Sequence, residues 1–147
     1  MKNKLVLVVE DNPDWKKIWD FVANLLQDGT KISWATSVSE AEQQLVDAGT
    51  FGINFDVVIA DIFLSGTRTG LDFFEGATPF YQKRFLFVSS VKPEKIPKHF
   101  KLKYTEVRFL QKPFGAQQMV NELRRIIKQC DADRPGADHE KYYDQKT

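Results

Sequence analysis

The chain has 147 residues, 42% apolar and 28% charged, with a net charge of +1. That is enough for one domain with a sizeable core, and it gives no global field pointing to nucleic acid or a membrane surface. Cys130, the only cysteine, excludes a disulfide framework and a cysteine-based metal centre, and reads as a small packed side chain. No apolar run approaches the roughly 20 residues of a membrane span. Met1-Lys2-Asn3-Lys4 leads straight into a strand pattern with no signal peptide, so a cytoplasmic protein is expected. Charge is unevenly spread: residues 1–82 hold six Lys/Arg against twelve Asp/Glu, and residues 83–112 hold nine against two.

Leu5-Val6-Leu7-Val8-Val9 is an uninterrupted aliphatic run and reads as a buried first strand, ending at Glu10-Asp11. Asn12 and Pro13 are a cap and a first-turn proline for a helix carrying Trp15, Ile18, Trp19, Val22, Leu25 and Leu26, with Gly29 beyond its end. The two tryptophans read as core or boundary packing. Lys31–Ala35 is a short second strand, and Ser37 or Ser39 caps a helix with Ala41, Leu45 and Val46, Ser37 and Glu40 having capping-box spacing. Asp56-Val57-Val58-Ile59-Ala60-Asp61 is a third strand, apolar until its last residue. After the turn Ser65–Gly70 a helix with Leu71, Phe73, Phe74 and Ala77 leads to Pro79. Arg84–Ser90 is a fourth strand ending in two hydroxyls. Pro93 and Pro97 then exclude one long helix and leave a short one from Pro97 to about Tyr104. Val107–Gln111 is the fifth strand, followed by Lys112-Pro113-Phe114 and an amphipathic last helix with Met119, Val120, Leu123, Ile126 and Ile127. Residues 1–130 thus form one domain, and 131–147, polar and holding Pro135 and Gly136, read as a tail.

Continuous apolar strands alternating with helices imply right-handed βαβ units and a doubly wound parallel sheet with helices on both faces. Four of the five strands end in a polar group: Glu10-Asp11, Asp61, Ser89 and Lys112. In a flavodoxin-like α/β order, 2-1-3-4-5, strands one and three meet at the topological switch point, bringing Glu10, Asp11 and Asp61 into one acidic pocket. Three close carboxylates call for a cation, and an all-oxygen set of this charge suits Mg²⁺. An ionised Asp61 needs no separate base to act as a nucleophile toward phosphorus. Phosphoryl transfer needs mainly positioning and neutralisation of oxygen charge, which Mg²⁺, the Lys112 ammonium and the Ser89 hydroxyl can provide.

With these residues placed, the sequence resembles the receiver domains of two-component response regulators, the single-domain chemotaxis regulator being the simplest relative. The resemblance spans residues 4 to about 130. It rests on Val8-Val9-Glu10-Asp11-Asn12-Pro13, Val57-Val58-Ile59-Ala60-Asp61, Phe87-Val88-Ser89-Ser90 and Lys112-Pro113-Phe114. It implies Asp61 as phosphoacceptor, Glu10 and Asp11 as the acidic pair, and Asp11, Asp61 and the backbone carbonyl of Phe63 as metal ligands. It also implies Ser89 and Phe109 as switch residues, Lys112 as the family's invariant lysine, and a cis Lys112-Pro113 bond. The pattern departs in one loop: proline often stands four residues after the phosphoacceptor and glycine eight after it, whereas here Ser65 takes the first place and Gly70 lies nine residues on.

The resemblance implies a histidine kinase or phosphotransfer protein upstream, an unknown protein target downstream and a phosphorylation-dependent dimer as one possible output. No direct nucleic-acid or membrane contact is expected. The alternative is a degenerate receiver that binds partners without phosphorylation. A flavodoxin-type cofactor binder is disfavoured, because Glu10-Asp11 would repel a phosphate at the loop that should cradle it. The cations Lys92, Lys95, Lys98, Lys101, Lys103, Arg108 and Lys112 read as a solvated face or as a site for an acidic protein partner. His99 and His139 read as surface residues. Phe63 and Val91, two residues beyond the phosphoacceptor and the hydroxyl, cannot orient water, so a phosphoryl lifetime of hours is expected.

Overall fold

A computed structural model describes residues 3–132; the last fifteen residues, with most of the expected tail and His139, lie outside the described residues. Five strands, β1 (Leu5–Val9), β2 (Lys31–Ala35), β3 (Val57–Asp61), β4 (Phe85–Ser89) and β5 (Arg108–Gln111), form one all-parallel sheet. Their order is β2-β1-β3-β4-β5, as expected. The helices are α1 (Lys16–Leu26), α2 (Val38–Thr50), α3 (Gly70–Gly76), α4 (Pro79–Gln82), α5 (Lys98–Lys103) and α6 (Ala116–Ala132), with 3-10 turns at Pro13–Trp15 and Pro93–Lys95.

The uninterrupted apolar strands have a direct cause: both faces of the sheet are covered. On one face Val6, Val8, Val57, Ile59, Leu86 and Val88 pack with Trp19 and Val22 of α1 and Met119, Leu123 and Ile126 of α6. On the other, Leu7, Val9, Val58, Ala60, Phe85 and Phe87 pack against Ala41, Phe73, Phe74, Ile96 and Phe100. The second face is strongly aromatic, with Phe74 edge-on to Phe85 at 5.2 Å and to Tyr104 at 4.8 Å. Asp56, just before β3, pins the start of the sheet: its carboxylate accepts from the Leu5 N–H at 2.8 Å.

Local signals act as the residues suggest. Asn12 accepts from the Asp14 N–H at 3.0 Å, and Ser37 caps α2 by accepting from the Glu40 N–H at 3.1 Å. The reciprocal arm of that box lands one residue early, on Thr36, whose N–H and hydroxyl both donate to Glu40. The expected helix with Leu71, Phe73 and Phe74 forms as α3. Alpha-helical structure stops at Gly76, Ala77 is extended, and Thr78 caps a separate turn at Pro79, which is pre-set for a first helical position. Pro93 and Pro97 shorten the next segment as expected, leaving a 3-10 turn and the six-residue α5. The helix α6 runs to Ala132, so Asp131 and Ala132 belong to it and not to a tail.

The loop after β3 is where the extra residue must be absorbed. Thr69 closes it with a full capping box, exchanging hydrogen bonds with Asp72 at 2.8 and 3.2 Å. Arg68 ties it to α2 through Glu42 at 2.7 Å. Gly70, whose N–H donates to Ile62 O at 2.9 Å, lies so close to β3 that a Cβ there would stand 2.2 Å from the Asp61 carbonyl oxygen. The longer loop therefore still delivers a glycine to the back of Asp61. Gly70→Ala should lower stability by about 1–3 kcal/mol, the usual cost of forcing extra volume into a packed site, read from urea unfolding. Gly76→Ala, where an added Cβ meets nothing within 4 Å, is the control and should stay within about 0.5 kcal/mol of wild type.

Candidate phosphoacceptor site

Parallel register sets the site at the carboxyl edge of the sheet. Val9 pairs with Ala60, so Glu10 and Asp61 emerge side by side one position on. Asp61 pairs with Val88, and Ser89 pairs with Gln111, which puts the hydroxyl and Lys112 at the same edge. The Lys112 N–H donates to Ser89 O at 2.8 Å, tying β4 to the lysine's backbone, and the Lys112-Pro113 bond is cis, as expected.

Four polar side chains are buried there: Glu10, Asp61, Ser89 and Lys112, with 2, 9, 5 and 8% of their surface exposed. The Lys112 ammonium bridges the two acids, donating to Glu10 Oε1 and to Asp61 Oδ2, the latter at 2.9 Å. Asp61 Oδ1 accepts from the Phe63 N–H at 3.0 Å. Asp11 lies nearer the surface, where its Oδ2 accepts from the Ser65 N–H at 2.8 Å. Ser89 Oγ accepts from the Val91 N–H at 3.1 Å, which leaves its O–H free to donate.

Ligand oxygens of Glu10, Asp11 and Asp61 lie within 4.8 Å of one another, and Glu10 Oε2 is buried without a hydrogen-bond partner among the described residues. A buried carboxylate oxygen without a donor is costly, and a hard cation among three carboxylates would relieve it. The donor set thus fits Mg²⁺. The electrostatics agree with that gap. Burial pushes the Glu10 carboxyl up to about 7, and the facing Asp61 adds to the rise while Lys112 opposes it. At Asp11 burial also works upward, but the Ser65 hydroxyl and N–H outweigh it and hold the group below the usual carboxylate range.

The remaining predicted residues fall as follows. Phe63 is 51% exposed beside the site. Phe109 is half-buried, its ring stacked on Phe87 at 5.5 Å, and it shares with Ser89, Ile62 and Val91 a cavity of about 30 Å³, room for one water. The cations of residues 92–112 do not form one face. Lys112 is buried, Arg108 donates to Lys83 O at 2.8 Å and to Gln129, and Lys101 donates to Pro93 O at 3.1 Å. Lys92, Lys95, Lys98 and His99 are exposed. A cleft of about 1010 Å³ opens at the opposite edge of the sheet, between Arg84, Tyr104 and Arg108. It contains none of the residues predicted for the phosphoacceptor site, though Lys103 and Arg108 of the cation strip line it.

Sequence reasoning missed two contributors. Ser65 reaches Asp11 only because the long loop folds over the acidic pair, which no spacing rule reveals. Trp15, assigned to packing, does stack on Phe114 at 5.4 Å, but its ring also faces the Lys112 ammonium at 4.5 Å. Its place four residues after Asp11, one helical turn from the strand end, was the available signal.

The fold is that of response-regulator receiver domains. A receiver domain from Clostridium thermocellum superposes with a TM-score of 0.70 at 19% identity, covering 89% of this chain and 99% of that one. The non-phosphorylated HemR receiver domain from Leptospira biflexa gives 0.61 at 26% identity, covering 84% and 94%. The receiver of an HD-domain-containing protein from Pseudomonas fluorescens gives 0.73 at 17% identity, covering 91% and 93%. No family model matches the sequence, and no curated protein matches it at a significant level.

The raised Glu10 pKa has a stability signature. Between about 4.5 and 7 the unfolded chain releases this proton while the folded one keeps it, so folding stability falls as pH rises through that window. A loss of roughly 2–3 kcal/mol is expected from urea midpoints between pH 4.5 and 7.5 without divalent ions. Glu10→Gln should flatten the slope, and saturating Mg²⁺ should reduce it.

Proposed function

We propose that this chain is a working receiver of a two-component or phosphorelay system, accepting a phosphoryl group on Asp61. The observation that carries the reading is the buried Lys112 ammonium held between Asp61 and Glu10, with a partnerless Glu10 oxygen beside it. A lysine so placed neutralises charge at the nucleophile's own oxygen, as phosphoryl transfer requires.

In the proposed reaction an Asp61 carboxylate oxygen attacks phosphorus in line with the donor's leaving group. The new O–P bond forms as the donor's P–N bond breaks, the donor being a phosphohistidine of a histidine kinase or phosphotransfer protein. The Phe63 N–H orients Asp61 through Oδ1, and Lys112 moves from Asp61 Oδ2 to a phosphoryl oxygen. Ser89 turns its free O–H to another phosphoryl oxygen. Asp11, Asp61 and the Phe63 carbonyl would hold Mg²⁺, with the Glu10 carboxylate beside them. Bound there, the ion supplies charge stabilisation to the transferring phosphoryl group.

Ser89 and Phe109, which line one cavity, are the proposed switch. A turn of Ser89 toward the phosphoryl group alters that cavity, and the Phe109 ring repacks against Phe87, so the change rests on packing with no phenol hydroxyl involved. Output passes to a protein partner in the cytoplasm.

Incubation with acetyl phosphate and Mg²⁺ should label the wild-type chain with one hydroxylamine-labile phosphoryl group, detected by intact-mass measurement. Asp61→Asn should abolish it. Undiminished labelling of that variant, or a wild-type chain that takes no label, would sink the proposal.

A further inference from the structure

We infer that Trp15 is a positioning residue for Lys112: its indole face is the third partner of the ammonium and holds it at the phosphoacceptor. The inference rests on the phosphoacceptor reading and adds to it one further residue.

An ammonium has three N–H donors. Two are spent on Glu10 and Asp61, and Lys112 Nζ stands 4.5 Å from the centre of the Trp15 ring. That is within the range at which the ring quadrupole attracts a cation, and indole is the best of the aromatic partners. With only 8% of Lys112 exposed, little water remains to replace that contact. Lysine is a point charge on a four-carbon stem and does not orient itself as an arginine fork does. Something must restrict it.

The ring is well fixed for that task. Asn12 caps the 3-10 turn Pro13–Trp15 and Pro13 sets its first backbone angle. The indole stacks on Phe114 at 5.4 Å with an interplanar angle of 24°, and Phe114 in turn meets the edge of Trp19 at 6.1 Å. Phe114 follows Lys112 by two residues, so the segment that carries the ammonium also holds the ring facing it. During transfer, Lys112 must leave Asp61 Oδ2 for a phosphoryl oxygen. The indole face, having no direction along its plane, permits that short shift while opposing a swing into solvent.

Two measurements on the full chain test the inference. The first compares labelling rates with acetyl phosphate and Mg²⁺. Trp15→Leu, which keeps apolar bulk but removes the π face, should slow labelling about tenfold. Its Kd for Mg²⁺, from calorimetric titration, should stay within about twofold, since the ring is placed on the lysine and not on the carboxylates. Trp15→Phe, which restores a face, should recover most of the rate. Labelling of Trp15→Leu at the wild-type rate overturns the inference, as does a rate loss that Trp15→Phe fails to rescue. The second reads the contact itself, whether or not phosphoryl transfer occurs. The emission of wild type minus that of Trp15→Phe isolates Trp15, and removing the cation with Lys112→Met should change that difference. An unchanged difference overturns the contact. A wild type that takes no label sinks the phosphoacceptor reading, and the positioning role with it, while the emission arm still decides the Trp15–Lys112 contact. A labelled wild type with an indifferent Trp15→Leu sinks the positioning role alone.

Discussion

The rest of the site depends on one buried charge. The Lys112 ammonium lies between Glu10 and Asp61, so side chains from the ends of β1 and β3 and the residue after β5 meet at one point across the sheet. Desolvating such a group is expensive, and the mutual attraction repays the cost only when the geometry is good and the other donors are used. Here the lysine has two carboxylates and an aromatic face. The carboxylates are less well served: Glu10 keeps one oxygen without a donor, and burial raises its pKa to about 7. The imbalance favours a further cation on the acidic side. In this respect the structure stores a binding site as an unmet electrostatic need.

Much of this was legible in the chain. Strands buried on both faces leave unbroken Val, Ile, Leu and Phe runs, so Leu5–Val9, Val57–Ala60 and Phe85–Val88 announce themselves. Because a parallel sheet aligns its carboxyl ends, the polar residues that terminate those runs had to converge, and Glu10, Asp61, Ser89 and Lys112 do. What stayed hidden depends on loops and ring planes, which periodicity does not encode. The helical turn α4 was hidden because its start signal, Thr78-Pro79, follows within four residues of the stop at Gly76. The fold of the long turn was invisible because Gly70 is defined by its contact with the Asp61 carbonyl and not by its distance along the chain. Trp15 has the spacing of a core residue and packs at the core's edge, on Phe114. Its second role depends on which side of the ring meets Lys112.

The proposed route outward from Asp61 follows from the same packing. Ser89 and Phe109 share a small cavity roofed in part by Ile96 and Pro93, and Ile96 and Phe100 anchor the short segment around α5 into the aromatic face of the core. A disturbance at Ser89 therefore meets Phe87, Phe109 and the proline-bounded turn before it reaches solvent. The exposed Lys92, Lys95 and Lys98 lie in and beside that turn, so a change in its packing would move positive charge at the surface.

The most direct test of the account is a crystal structure of the chain grown with Mg²⁺ and beryllofluoride, which mimics a phosphoryl group on a carboxylate. Beryllium should lie on an Asp61 oxygen and Mg²⁺ among Asp11, Asp61 and the Phe63 carbonyl, with Lys112 and Ser89 each donating to a fluoride while Trp15 still covers the ammonium. A structure in which Lys112 stays locked to Glu10 and Asp61, with no beryllofluoride on Asp61 at saturating concentration, would contradict it.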